Sequence, residues 1–150
     1  MIEGKRPSFS ELPRADAIAL LERNHVGRIA FGARDRVDVE PIGYVYRDGW
    51  VYARTSPGTK LTTVHHHPWV AFQVDEIESP FDWRSVVVHG TIYFPDPNRG
   101  AQEQHEHDTA ITVLRTIDPG AFTEHDLTPH RHQVFRIHAG EITGRRAQSE

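Results

Sequence analysis

The sequence predicts a mainly β chain: a small antiparallel barrel of about six strands with short flanking helices. Three observations carry this expectation. From Val26 onward apolar residues recur at every second position, the period of a strand with one buried face. Asp48-Gly49 separates two such runs, and this pair accepts the positive φ angles of a tight hairpin. Pro/Gly/Asn clusters at Ser56-Pro57-Gly58 and Pro95-Asp96-Pro97-Asn98 end further runs.

The chain has 150 residues and a mass of 17.1 kDa, the size of one ordinary domain. We therefore read residues 1–150 as a single domain, with 1–9 and 145–150 as flexible polar tails. Hydrophobic residues make up 37%, enough for a packed core rather than disorder. Lys and Arg number 17 against 21 Asp and Glu, a net charge of -4, which disfavours a nucleic-acid partner. There is no Cys, which excludes disulfides, thiolate zinc sites and Cys nucleophiles and suits a reducing cytosol. The first residues hold no signal-type apolar run, and no stretch approaches the ~20 apolar residues of a membrane span. The expectation is a cytoplasmic chain with no membrane partner.

Ser10 to Asn24 reads as a helix, with Pro13 in its first turn and Ala17, Leu20 and Leu21 on one stripe. Val26 to Gly32 is the first strand. Val37 to Arg47 is the second, and its Pro41 suggests an edge or a bulge. The Asp48-Gly49 hairpin leads to a third strand, Trp50 to Thr55. After the Ser56-Pro57-Gly58 turn, Thr59 to His67 suits a short helix ending at Pro68. Trp69 to Asp75 is the fourth strand, Glu76 to Asp82 an acidic loop, and Trp83 to Phe94 the longest strand. Residues 99–117 have weak helical spacing, and 118–131 form a Pro/His/Gly-containing connection. His132 to Thr143 alternates as the last strand.

The stretch Ala53-Arg54-Thr55-Ser56-Pro57-Gly58-Thr59-Lys60 carries the most chemistry. It runs from a strand end through a small-residue turn into a helix start, where free N–H groups and the dipole favour an anion. Thr55, Ser56 and Thr59 add hydroxyl donors; Arg54 and Lys60 add positive charge. This is a donor set for one phosphate group, although it is not a GxxxxGK[ST] loop. The plainer alternative is a turn with an N-capping Ser or Thr.

Two further segments matter. In Trp83-Arg84-Ser85-Val86-Val87-Val88-His89-Gly90, Arg84 and Ser85 are polar residues entering an apolar strand, and Gly90 marks a bulge or a close approach. In Glu40-Pro41-Ile42-Gly43-Tyr44, Pro and Gly in mid-strand leave backbone groups open to a flat ligand, or else protect a sheet edge. The 11 His residues cluster at His65-His66-His67, His105-Glu106-His107 and His130-Arg131-His132. None forms HExxH, so they read as solvated loop histidines rather than a metal site. The acidic run Asp75-Glu76-Ile77-Glu78 reads as a solvated loop.

Taken in order, four segments resemble the pyridoxamine 5′-phosphate oxidase-like flavin proteins, in the branch of nitroimidazole-resistance-type proteins. They are Asn24-His25-Val26-Gly27-Arg28-Ile29-Ala30 after its helix; Glu40-Pro41-Ile42-Gly43-Tyr44-Val45-Tyr46; Thr55-Ser56-Pro57-Gly58-Thr59-Lys60-Leu61; and Val70-Ala71-Phe72-Gln73-Val74-Asp75 with Trp83–Gly90. The resemblance covers about residues 12–95. It implies a six-stranded antiparallel split β-barrel of FMN-binding type, forming a homodimer with FMN in the grooves between subunits. It assigns the FMN phosphate to Arg54, Thr55, Thr59 and Lys60, and Ser56 of the same turn is counted with the cofactor-binding residues. Glu40, Pro41, Ile42 and Gly43 would run along the isoalloxazine, and Arg84 and Ser85 would face its pyrimidine edge or ribityl chain. This chain carries Thr59-Lys60 where larger oxidases have Arg-Lys, and Ser85 where they have Gln. The implied activity is an FMN-dependent oxidoreductase acting on a small planar molecule such as a nitroaromatic compound. The alternatives are the same barrel holding deazaflavin or haem, or a flavin-binding protein without catalysis.

Overall fold

The Asp48-Gly49 turn takes the conformation its residues favour. Asp48 has φ 50 and Gly49 φ 85 degrees, the paired positive angles of a type I′ hairpin. In the computed structural model, which describes residues 6–33, 35–58, 61, 64 and 68–149, this turn joins two of eight strands. In chain order the elements are β1 (Ser8–Glu11), α1 (Arg14–Arg23), β2 (Val26–Ala33), β3 (Arg36–Gly43), β4 (Val45–Arg47), β5 (Trp50–Thr55), β6 (Trp69–Ser79), β7 (Asp82–Tyr93), α2 (Ala101–Leu114) and β8 (Gln133–Gln148).

All pairings are antiparallel, in the order β3-β2-β6-β7-β8-β5-β4, with β1 on β8. The two ends of this path, β3 and β4, are consecutive in the chain and separated only by Tyr44. The sheet therefore curls until its edges meet, which makes a split barrel. Tyr44 fixes that corner. Its N–H donates to the His25 carbonyl at 2.9 Å and its hydroxyl to the Leu21 carbonyl at 2.8 Å. Its buried ring meets Phe72 edge-on at 4.8 Å.

The core follows the strand period. Ile29 pairs with Phe72, Phe72 with Val88, and Val88 with Ile142, so one buried row crosses four strands. Ala17, Leu20 and Leu21 of α1 join this core. A second cluster lies on the other face of β5 and β8, where Ala110, Val113 and Leu114 of α2 pack with Val45, Tyr52 and Val134. Gly90 is required by backbone approach: a Cβ there would lie 1.7 Å from the His138 carbonyl oxygen. The register shift between His89 and Gly90 is the bulge its sequence suggested.

Several expectations need correction. Among the described residues there are eight strands rather than six. The second strand is broken at Tyr44, because β3 pairs with β2 while β4 pairs with β5. The tails expected to be flexible contribute strands: Phe9 pairs with Ala147 and Ser10 with Arg146, Phe9 packs against Trp83, and Arg146 Nε donates to Ser10 Oγ at 3.1 Å. The predicted helix Ser10–Asn24 begins only at Arg14, with Pro13 at its N-cap. The acidic loop from Glu76 is instead the continuation of β6 as far as Ser79, turning through Pro80-Phe81. The helix expected over Thr59–His67 falls largely outside the described residues; within it, Leu61 and Val64 are buried in the core. No helix among the described residues is long and apolar enough to cross a membrane.

Candidate functional site

Arg54 and Thr55 occupy the last two rungs of β5, opposite Val134 and Gln133 of β8. Strand alternation sends them to opposite faces. Thr55 is buried, on the same face as Ala53 and Val51. Ser56 follows, half-buried, and the exposed Pro57-Gly58 turn has Gly58 at φ 76 degrees. Thr59 and Lys60, the other two expected phosphate ligands, lie outside the described residues.

Arg54 is deeply engaged within the chain. Nη1 donates to Asp126 Oδ2 at 2.7 Å, and Nη2 donates to Asp126 Oδ1 at 3.0 Å, Asp118 Oδ2 at 3.1 Å and Thr128 Oγ1 at 2.9 Å. The guanidinium also lies 4.9 Å from the Phe122 ring centroid. Asp126 accepts from the Phe122 and Thr128 backbone N–H groups at 2.8 and 2.9 Å. Arg54 and these N–H groups hold its carboxyl well below the usual carboxylate range. The Arg54 charge is thus balanced by two carboxylates, and its clear structural effect is to clasp the 118–131 connection. Beside it, Gly43, Arg54, Thr128 and Arg131 line a cavity of 170 Å³. Among the described residues Arg131 makes no side-chain hydrogen bond or ion pair, so it is a cation available at this cavity. Sequence reading had placed Arg131 only in a histidine-rich loop.

The β3 residues lie on a sheet edge, as Pro41 suggested. Glu40 faces Ile29, Pro41 faces Arg28, Ile42 faces Gly27 and Gly43 faces Val26. The Ile42 side chain belongs to the core, whereas Pro41 and Gly43 are exposed. Gly43 alone of these four reaches the Arg54 cavity.

Arg84 and Ser85 also point to opposite faces. Arg84 meets Glu76 at 3.2 Å. Glu76 is held further by Arg23, through Nε at 2.8 Å and Nη2 at 2.7 Å, and by Asn24 Nδ2 at 2.7 Å. The Arg23 hydrogen bonds draw its carboxyl down to about 2. Ser85 faces outward. Its Oγ accepts from Gln73 Nε2 at 3.0 Å, and Gln73 Oε1 accepts from Arg28 Nη1 at 3.3 Å. Arg28 in turn stands opposite Pro41. The predicted residues Ser85 and Pro41 are therefore joined by Gln73 and Arg28, which the sequence reading missed. Gln73 and Asp75 carried a signal: they are the polar alternates of an otherwise apolar strand.

These contacts form one band on the outside of the barrel. It runs from Ser85 through Gln73 and Arg28 to Pro41, then from Gly43 to Arg54 and the 56–58 turn. Three strand spacings, about 14 Å, separate Ser85 from β3. Around the band the outer face is apolar, with Val26, Val37, Val39 and Trp69 all exposed. A shallow cavity of 300 Å³ on that face is lined by Ala30, Gly32, Val37, Trp69 and Ala71 among others.

Of the histidine pairs, His105 and His107 lie on α2, while His130 and His132 precede β8. His65–His67 lie outside the described residues. Among the described residues no group of three or more His, Cys, Asp or Glu is placed to hold a metal ion.

A mainly β chain whose antiparallel sheet curls into a split barrel defines a structural class, and comparison with known proteins agrees with it. Residues 13–146 match the family model described as pyridoxamine 5′-phosphate oxidase. The chain belongs to that family. It is 24% identical over 141 residues to an uncharacterized protein of Rhizobium meliloti (strain 1021), covering 91% of this chain and 93% of that protein. Among solved structures it is similar to an FAD-binding protein from Mesorhizobium loti, with a TM-score of 0.73, 28% identity, and coverage of 94% of this chain and 99% of that one. A candidate 5-nitroimidazole antibiotic resistance protein from Bacteroides thetaiotaomicron shares the fold, with a TM-score of 0.69 at 12% identity over 98% of this chain and 95% of that one.

Proposed function

We propose that the protein is a flavin-dependent oxidoreductase that acts as a homodimer and holds the FMN portion of its cofactor along the outer band. The observation that carries this reading is the continuity of the band, which joins three separately predicted segments through Gln73 and Arg28. The similarity to an FAD-binding protein at 28% identity supports it.

The residues fit such a group. At one end Ser56, with Thr59 and Lys60 further along the sequence, supplies hydroxyl and cationic donors for a phosphate, and Arg131 adds a cation not otherwise paired among the described residues; Thr55 faces the core instead. Arg54 acts here by fixing the connection that carries Arg131. In the middle, Pro41 and Gly43 give a bare backbone edge on which a flat ring can lie. At the other end Arg28 and Ser85 offer donors, and Gln73 both donates and accepts, which suits the mixed polar edge of a pyrimidine ring. When bound, the flavin supplies hydride- or electron-transfer chemistry. The Arg28 cation is shared with Asp75 at 3.4 Å, and Asp75 also accepts from Gln73 Nε2 at 2.9 Å, so this end of the band offers a balanced set of donors and acceptors rather than a free positive charge. No side chain of the band is required to move a proton.

The band is open to solvent, whereas a cofactor site encloses most of its ligand. A second copy of the chain, seated on the apolar outer face, would close it. The substrate we propose is a small planar molecule such as a nitroaromatic compound, admitted beside the ring. The proposed setting is the cytoplasm, which a Cys-free chain suits. The test is incubation of purified protein with FMN followed by desalting and an absorption spectrum. Retained flavin bands, with a sizing volume of a dimer, are expected; a colourless protein would overturn the reading.

A further inference from the structure

The inner face of the sheet ends in a polar row that the flavin reading leaves unused. Glu76 is the register partner of Arg84, Arg84 of Arg146, and Arg146 of Ser10. Cross-strand partners share a face, so these four side chains stand side by side across β6, β7, β8 and β1. The next row inward, Val74, Val86 and Gly144, is buried, which places the polar row at the rim of the core. We propose that Arg84 and Arg146 form an anion site for a phosphate group, carried by the free ion or by a small phosphate monoester. The site lies on the other face of β7 from Ser85 and does not depend on the flavin reading.

The charge balance is the first argument. Glu76 is the carboxylate of the row, and it is already engaged. Arg23 holds both of its oxygens, at 2.8 and 2.7 Å, Asn24 donates to it at 2.7 Å, and Arg84 reaches it at 3.2 Å. Asp16 supports the charge of Arg23, at the α1 end of the row. Arg146 stands beyond Arg84, one strand further from Glu76. Among the described residues Arg146 forms no ion pair.

The placing of the two arginines is the second argument. Residues directly opposite on neighbouring strands have Cβ atoms about 4.5–5.5 Å apart, and like charges so placed repel. A dianion between them replaces that repulsion with two charge-assisted contacts, and the planar fork of a guanidinium matches phosphate oxygens. The donors are the third argument. Arg146 Nε donates to Ser10 Oγ at 3.1 Å, which steadies the guanidinium and leaves its terminal nitrogens for a ligand. The Ser10 hydroxyl can itself donate. The Arg84 side chain is 47% exposed, so a ligand reaches the row from solvent.

The experiment is calorimetric titration and thermal melting of the purified full-length protein with inorganic phosphate and with glycerol 3-phosphate, each set against sodium chloride of equal ionic strength. It compares the parent with Arg84→Gln, Arg146→Gln and Arg131→Gln. The last variant is included because the cavity beside Arg54 would also take a phosphate. We expect the parent's melting temperature to rise by about 3–5 °C at a phosphate concentration about ten times its Kd, with no such rise in chloride. Binding should weaken about tenfold or more in Arg84→Gln and in Arg146→Gln and persist in Arg131→Gln. A cooperative melt without phosphate shows that each variant is folded, and Arg146→Lys, which keeps the charge, should recover part of the binding. Binding of both probes assigns the site to phosphate monoesters, and binding of phosphate alone assigns it to the free ion. A chloride effect equal to that of phosphate would overturn the proposal. So would binding weakened in Arg131→Gln alone, or equally in all three variants. Either result would leave the flavin reading standing, because that reading is tested by retention of flavin.

Discussion

Arg54 holds Asp126 through both terminal guanidinium nitrogens, at 2.7 and 3.0 Å, across 72 residues of sequence. The pair is charge-assisted and bidentate, the strongest form of side-chain hydrogen bonding, and the Arg54 side chain is only 12% exposed. It follows that Arg54→Ala and Asp126→Ala should each lower the melting temperature by several degrees. The double variant should be little worse than the poorer single one, because both remove the same clasp. Flavin affinity should fall in parallel in all three. If Arg54 instead touched the phosphate directly, Arg54→Ala would weaken binding while Asp126→Ala would not. Thermal melts and flavin titrations on the same four proteins decide between these.

Acid stability follows from Asp126 and Glu76. Both carboxyls sit below their ordinary values, Asp126 through Arg54 and two backbone N–H groups, and Glu76, at about 2, through Arg23. A depressed native pKa means that the unfolded chain binds more protons in the window between the two values. The stabilisation is complete above about pH 5 and is lost as pH falls towards 2. The melting temperature should therefore be level near neutrality and fall through this window. Glu76→Gln and Asp126→Asn should start lower at neutral pH and fall less steeply below pH ~4.5. A parent whose melting temperature is unchanged down to pH ~2.5 would contradict the assigned pairings.

The Tyr44 corner closes the barrel, and its hydroxyl is buried with the Leu21 carbonyl as partner. Tyr44→Phe should destabilise by about 1–2 kcal/mol, the cost of a lost buried hydrogen bond. Tyr44→Ala removes the ring that meets Phe72 as well and should cost about 3–5 kcal/mol. Denaturant unfolding of both variants tests this. A near-zero effect of Tyr44→Phe would mean that the carbonyl finds another donor.

Local chemistry made part of this legible. Asp48-Gly49 specified its own turn, and the alternation in Trp50–Thr55 and Trp83–Tyr93 marked their strands, because these signals depend on near neighbours. The break at Tyr44 was invisible, since Val45-Tyr46-Arg47 continues the same alternation; only the change of partner from Val26 to Tyr52 reveals it. The tails were misread for the same reason: Phe9 and Ala147 are ordinary until they pair. At the site, the Ser56-Pro57-Gly58 turn could be read directly. The partners of Arg54 at Asp118 and Asp126, and the linkage of Ser85 to Arg28 through Gln73, arise from register across distant strands and have no local signature.

The outer face of β3, β2 and β6 carries the last prediction. Val37, Val39 and Trp69 are 78%, 62% and 73% exposed, and the cross-strand pairs Gly32–Val37 and Ala30–Val39 place these residues on one side. The helices pack elsewhere, α1 against β4, β6, β7 and β8 and α2 against β4, β5 and β8. A contiguous apolar face of this kind is unusual on a monomer, and a stable two-fold interface needs about 800 Å² from each partner. If this face closes the proposed dimer, Val39→Asp and Trp69→Glu should shift the protein to a monomer on sizing, with flavin affinity lost together with the dimer. Glu22→Lys is the control, because Glu22 is exposed on α1, outside the band and this face; it should change neither property. If Val39→Asp gave a monomer that still bound flavin as tightly, the band alone would be the cofactor site and the second copy would play no part in it.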